Sequence, residues 1–359
     1  MLIDLFFVSL RLVPSPSSVT IPQIAKAAGV STATVDRVLN DRAGVNPATA
    51  HRVKEVLAEL GGAVPQPGRP KVAPSYRFAF VLPNARTAFF DGVDRVVAQS
   101  AGEFRHQHIT ELTLRLPSHD PNAFAEELAK LTDYSGLALL APDVPQVKLA
   151  INELVQAGVQ VVTLFSDVAG SMRSTFLGTD SRAAGRTAGL LLGQGMPKKS
   201  RARTALFSPA TRYAAEIDRR IGYAQLMEER FPDVEVIRFL EVPDTEERAY
   251  SYAMDCIPPA DSPSAIASAY SVAGGSFGIG RALTDRGYAG RALFAVHDLV
   301  EVHRSMLTSG VADYVLHQDV YLSVSAAAKT LRALQDGVRG ALTTFKNPRP
   351  EIITQENLA

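Results

Sequence analysis

The chain has 359 residues, 46% of them apolar, with 37 basic side chains against 37 acidic ones. That length exceeds one ordinary domain and predicts two or three compact units. Zero net charge excludes a general polycation, so any affinity for nucleic acid must be concentrated in one segment.

The chain begins with MLIDLFFVSLRLVPSPSS, which has the apolar stretch of an export signal but no basic region before it: Asp4 comes first and Arg11 late. Residues 1–18 therefore read as a disordered extension. No apolar run reaches the ~20 residues needed to span a bilayer. One cysteine, Cys256, rules out an internal disulfide framework, suits the cytosol, and reads as a core thiol.

Residues 19–61 carry a helical pattern. Thr20 and Gln23 have capping-box spacing, with Pro22 in the first turn. Ile24, Ala25 and Ala28 supply a short apolar face, and Gly29 breaks the helix. Val30 plugs the core and Ser31 caps a second helix, Thr32–Asn40, with Val35, Val38 and Leu39 inward. Asn46-Pro47 opens a third helix, with Val53, Val56, Leu57 and Leu60 as its inner stripe. Three short helices with a Gly turn between the first two predict an all-α helix-turn-helix head.

The second helix is the expected reader of duplex DNA. Thr32, Ala33 and Thr34 lie at its N-terminal end, small enough to approach base edges, phosphates or a thymine methyl. Arg37 and Asn40 share that side. Thr20 and Ser31 sit at helix N-termini, where free amides suit a phosphate. Residues 20–71 hold seven basic and four acidic side chains, a net charge of +3. So modest an attraction predicts two heads on a pseudo-palindrome, hence a homodimer. A purely structural three-helix cap is the other reading of such a pattern.

The run VTIPQIAKAAGVSTATVDRVLN (19–40) resembles the N-terminal signature of the lac-repressor (LacI) family. Val19 to Ile21, Ala25, Ala28 to Ser31, Ala33 to Val35 and Arg37 to Asn40 carry the match. The resemblance implies a cytoplasmic transcriptional regulator with operator DNA as partner. Two features depart from the family. Asp36 stands where Ser is usual; an acid there repels phosphate and is expected to accept from a cytosine amine or to orient Arg37. Pro65, Pro67, Pro70 and Pro74 break residues 62–76 into a linker, where the family usually carries a hinge helix that wedges into the minor groove.

From Arg77 the texture changes. Apolar runs at 78–83, 109–116, 136–142, 159–165, 203–209, 234–240, 264–270, 291–296 and 313–319 alternate with helical patterns. Such alternation predicts βαβ units and parallel sheets, and nine strands suggest two Rossmann-like lobes. Residues 77–359 resemble the type I periplasmic-binding-protein fold that the same family uses as its sensor. This implies three chain crossovers and an interlobe ligand cleft, with lobe 1 at about 77–176 and 319–336 and lobe 2 at about 177–318 and 341–356.

Ligands bind beyond the C-terminal ends of parallel strands. Phe89 and Phe90 follow the first strand and can stack on a sugar ring; helix core is their other reading. The resemblance places polar ligand contacts at Ser166 and Asp167. EIDRRIGYAQLM (216–227) puts Arg219 at a family Arg position, able to hold two hydroxyls or a carboxylate, or else a surface ion pair. AYSVAGGSFGIGRAL (269–283) resembles a sugar-sensing variant with Ser271 in place of Asn. Asp298 and Gln318 align with family ligand positions, and Asp180 reads as a helix cap. The implied effector is a sugar or sugar derivative.

GGSFGIG (274–280) lacks dinucleotide-loop spacing, and HExxH, CxxC, G-x-S-x-G and P-loop patterns are read as absent. His106, His108, His119 and His303 lack metal-ligand spacing. No catalysis, cofactor or metal is expected. A solute-binding subunit of a sugar transporter would share the second fold, but it has no use for a DNA-binding head. A bare DNA-architectural protein would have no use for the cleft.

Overall fold

The computed structural model describes residues 19–40, 42–60, 75–85, 87–100, 109–197, 201–243, 245–338 and 347–358. The extension at 1–18 and the linker through Pro74 lie outside them. Two compact units emerge, Met1–Pro74 and Ser75–Ala359.

In the first unit, α1 (Ile21–Ala28), α2 (Thr32–Leu39) and α3 (Pro47–Glu59) surround one small core. Gln23 accepts the Thr20 amide at 2.8 Å, and Gly29 ends α1 in the left-handed region at φ 69°. A side chain would be strained there, which is why glycine makes the turn. Ser31 caps α2 by accepting the Thr34 amide, and Asn46 caps α3 by accepting that of Ala48. Ile24, Val35 and Val53, one from each helix, are fully buried. Leu60 departs from the expected stripe: it lies beyond the last turn of α3 and is 44% exposed.

In the second unit the strands form two sheets. The first contains β1 (Tyr76–Pro83), β2 (Ile109–Leu116), β3 (Gly136–Leu139), β4 (Gln160–Leu164) and β5 (Thr175–Leu177), in order β2-β1-β3-β4-β5, all parallel. Tyr76, assigned to the linker above, is already the first residue of β1. The second sheet contains β6 (Arg203–Phe207), β7 (Glu235–Phe239), β8 (Ser268–Ser271), β9 (Leu293–His297), β10 (Tyr314–His317) and β11 (Glu351–Ile353). Its order is β11-β10-β9-β8-β6-β7, and only β11 runs antiparallel. The short β5 and β11 add to the nine strands legible as apolar runs.

The connecting helices of lobe 1 are α4 (Ala88–Ser100), α5 (Pro121–Ala129) and α6 (Pro145–Gln156). Those of lobe 2 are α7 (Ser181–Gly195), α8 (Ala214–Arg230), α9 (Glu246–Cys256), α10 (Ser276–Asp285) and α11 (Glu301–Thr308). After β10 the chain crosses back, and α12 (Val320–Gln335) buries Val324, Ala327, Ala328 and Leu331 in the lobe 1 core. β11 then rejoins lobe 2. Cys256, expected in a core, is half-buried at the end of α9, and burial pushes its thiol up from the ordinary value.

Two glycines hold α7 against α8. A Cβ at Gly185 would lie 1.9 Å from the Arg219 carbonyl oxygen, and one at Gly222 would lie 2.1 Å from that of Arg182. Backbone therefore meets backbone at this contact, and the position of Arg219 depends on it.

Candidate functional site

On the first unit, Thr20, Ser31, Thr32, Ala33 and Arg37 are exposed, while Thr34 and Asn40 are half-buried. Ser31 and Thr34 hydroxyls share a 2.9 Å hydrogen bond. Asp36 does not orient Arg37. Its carboxylate accepts from Asn40 Nδ2 at 2.9 Å and approaches Arg42 Nη1 at 3.4 Å. The acid is thus partly neutralised by its neighbours, and the Arg37 side chain is left exposed.

On the second unit, a cavity of about 560 Å³ opens between the lobes at the C-terminal ends of the strands. Phe89, Phe90, Arg219, Asp298 and Gln318 all line it. Arg219 is 8% exposed; its Nη1 donates to the Val272 carbonyl at 3.0 Å, and its Nε is buried without a hydrogen-bond partner. A buried donor without an acceptor costs about 1–3 kcal/mol, a deficit that an oxygen-bearing ligand removes.

Asp298 follows β9 with φ 66°, and its carboxylate accepts from Gln318 Nε2 at 2.9 Å. His303 Nδ1 donates to the Asp298 carbonyl and its Nε2 accepts from Ser276, both at 2.6 Å. Ser276 begins α10, so that helix braces the Asp298 backbone through one imidazole. His297 Nε2 accepts from Tyr270 at 2.6 Å. Burial, and secondarily the Arg219 charge, lower the His297 pKa well below its ordinary value; burial lowers that of His303. Both rings are neutral near pH 7.

Two residues expected here are elsewhere. Asp167 is bound bidentately by Arg173, with both N···O distances 2.6 Å, and accepts from Thr163 and the Val168 amide. Burial alone would raise its pKa, but these bonds outweigh that and hold the carboxyl below the usual range. Its neighbour Ser166 lines the cleft instead. Ser271 is 1% exposed and bonds the Ala273 carbonyl; it sits at the strand end behind the lining, so its short hydroxyl cannot replace an Asn side chain there. Asp180 caps α7 through the Ala183 amide.

The sequence pattern did not single out Phe165, His297, Ser276, or the lining carboxylates Glu216, Glu246 and Glu247. Position at the C-terminal end of a strand was the available signal for Phe165 and His297. The G-x-S-x-G spacing read as absent does occur, at Gly274–Gly278, overlapping the run weighed as a dinucleotide loop. Among the described residues, no cluster of three His, Cys, Asp or Glu side chains could hold a metal ion, and no helix is long and apolar enough to cross a membrane.

A helix-turn-helix head followed by two sheet-based lobes around a cleft defines a DNA-binding protein with a ligand-binding domain. Residues 20–61 match the bacterial regulatory proteins of the lacI family, and residues 78–338 match the periplasmic binding protein domain. The chain belongs to the lacI family of bacterial regulators, with a periplasmic-binding-protein domain behind its head. No curated protein matches it in sequence. Among solved structures it is similar to GanP, a glucose-galactose binding protein from Geobacillus stearothermophilus, at 17% identity and TM-score 0.67, covering 79% of this chain and 99% of that one. It is similar to an ABC transporter solute binding protein from Burkholderia graminis C4D1M in complex with D-arabinose, at 17% identity and TM-score 0.69, covering 80% and 98%. It is also similar to a protein from Bacteroides fragilis assigned as a LacI transcriptional regulator, at 18% identity and TM-score 0.67, covering 79% and 98%.

Proposed function

We propose that the protein represses genes of carbohydrate uptake or catabolism, as a cytoplasmic homodimer whose operator affinity is set by a sugar-like effector in the interlobe cleft. The observation that carries this reading is the unsatisfied Arg219 Nε, buried in a cleft that shares its chain with an exposed reading helix. The structures of similar fold include proteins described as binding glucose-galactose and D-arabinose. Thr32, Ala33 and Arg37 are the base-proximal residues, and the N-termini at Thr20 and Ser31 meet phosphate. Phe89, Phe90, Ser166, Arg219, Asp298 and Gln318 hold the effector, which acts by favouring one arrangement of the lobes over another.

The protein is not an enzyme in this reading. Ser276 and His303 have the separation of a nucleophile and its base, but the third partner is the neutral Asp298 carbonyl. In a Ser-His-Asp triad a carboxylate stabilises the imidazolium; here a neutral carbonyl takes that place, and burial disfavours the charge. The pair positions Asp298. The transporter reading has no role for residues 20–61.

In vitro selection of the full chain on a randomised duplex library is expected to enrich a pseudo-palindrome, and Arg37→Ala to weaken its binding about 10–100-fold. Thermal-shift screening against pentoses, hexoses and polyols tests the cleft. Stabilisation by a sugar that disappears in Arg219→Met supports the assignment, whereas failure of every polyol to stabilise the protein overturns the carbohydrate reading.

A further inference from the structure

Resting on that effector reading, we infer that the effector is an uncharged polyol with an apolar, unhydroxylated end: its hydroxyls meet lobe 2, and its apolar end is received by lobe 1. The two walls of the cleft have opposite chemistry. Among the described residues, every ionisable side chain that lines it lies on lobe 2. Among the described residues, lobe 1 contributes Phe89, Phe90, Phe165 and Leu140, with the hydroxyls of Thr87 and Ser166 as its polar side chains.

Local ion pairs account for this asymmetry. Of the lobe 1 carboxylates near strand ends, Asp120 caps α5 through the Asn122 amide, and four others are ion-paired. Arg115 pairs with Asp91 and Asp94, Lys148 with Asp143, and Arg173 with Asp167. Arg115 also stacks over the Phe90 ring at 5.5 Å, which fixes part of the aromatic wall. Phe89 meets Phe165 edge-on at 5.2 Å.

Backbone strain marks the same two walls. Among the described residues, Phe165 (φ 61°) and Asp298 (φ 66°) are the non-glycine residues with positive φ. Both line the cleft, one apolar on lobe 1 and one polar on lobe 2. Each such conformation is strained and persists where its surroundings enforce it. A ring held this way presents a fixed apolar surface, and a sugar's hydroxylated edge placed there would lose water without gaining partners.

Charge narrows the class further. On lobe 2, among the described residues, Glu216, Glu246, Glu247 and Asp298 face the cavity alongside one cation, Arg219. Phosphate would enter an acidic wall. The cavity lies within the roughly 300–1,000 Å³ of small-molecule pockets and has room for a ring plus a substituent. A deoxy sugar and a glycoside with an aryl or alkyl aglycone share the required chemistry.

Calorimetric titration of the full chain with matched probes separates these sources. The probes are phenyl and methyl β-glycosides of glucose, galactose and xylose, the pair fucose and galactose, and glucose with its 6-phosphate. For at least one ring that binds, the apolar-ended partner is expected to bind about tenfold tighter or more, the scale of one buried apolar contact. A gain in the phenyl pairs identifies an aglycone, and a gain in the fucose pair a deoxy position. Phe89→Ala is expected to reduce the ratio to below about threefold, and Phe89→Leu to retain part of it. Equal or weaker binding of the apolar-ended partner for every ring that binds overturns the inference alone, as does tighter binding of the 6-phosphate. If no ring binds, the carbohydrate reading falls and this inference with it.

Discussion

Lobe 1 and lobe 2 follow the same plan of parallel strands and covering helices, and both place acidic residues after strand ends. Their fates differ. In lobe 1 the acids are captured by Arg115, Lys148 and Arg173; in lobe 2, Asp298 and Arg219 keep hydrogen-bonding capacity facing the cavity. Four lobe 1 acids are paired with cations, whereas Asp298 lines the cleft and accepts from the neutral Gln318 amide. Local neutralisation, more than strand position, divides a structural wall from a recognising one.

The strongest way to break this comparison is to move the recognising wall. Gly185→Ala drives a Cβ into the Arg219 carbonyl, where only backbone can yield, and should destabilise the fold by about 3 kcal/mol or more in urea titrations. The lobe 1 counterpart, Gly136→Ala, first meets the Leu331 Cδ2 tip at 2.9 Å and should cost less, about 1–2 kcal/mol. Equal costs would mean that α7 and α8 slide freely.

Arg173→Met isolates the structural side. It leaves the Asp167 carboxylate half-buried without its cation and should cost about 2 kcal/mol, moderated by partial exposure. Affinity for any sugar that binds should stay within about twofold. A collapse of affinity with stability retained would return Asp167 to the ligand site.

Acid should separate the lobes. His297 has a folded-state pKa well below 6.5, so the unfolded chain takes up a proton that the folded chain refuses. Stability is therefore full above the unfolded value near 6.5 and falls as pH drops below it. The loss should be about 1 kcal/mol between pH 6.5 and 5.5, with His303 adding in the same direction. Asp167 has the opposite history: its pKa is lowered, so its contribution persists to more acid pH. Hydrogen exchange at pH 5.5 should accelerate in β8, β9 and α11 before β4, and acceleration in β4 first would reverse the assignment.

The smallest effect extends the comparison to the head. Asp36→Ala frees Asn40 and Arg42 from an exposed acid and should change stability by less than about 0.5 kcal/mol. The salt dependence of DNA binding should steepen by about one counterion if Arg42 then reaches phosphate. An unchanged slope would leave Arg42 outside the interface.

Much of this was legible before any coordinates. The three head helices announce themselves through short-range signals: Thr20 with Gln23, the Gly29 turn, the Ser31 and Asn46 caps. The main strands appear as apolar runs. β5 and β11 escaped because three residues are too few for a pattern, and Leu60 looked inward because its helix ends one position earlier. Within the cleft, Phe89, Phe90, Arg219, Asp298 and Gln318 were placed by strand ends and family spacing. Asp167 was misplaced because nothing in its local sequence shows that Arg173 folds back on it. Phe165 and His297 were passed over because a large ring after an apolar run looks like more core.

By itself the sequence determined the head, the alternation of strands and helices, and the residue types available to the cleft, because caps, turns and periodicity act over a few positions. Tertiary structure alone decided which charges remain unpaired. Arg115 finds Asp94 across a helix, α7 meets α8 through two glycines, and Ser276 reaches His303 from the next helix. Those outcomes depend on which strands lie side by side, and hydrogen bonds and ion pairs act over distances that chain separation does not reveal.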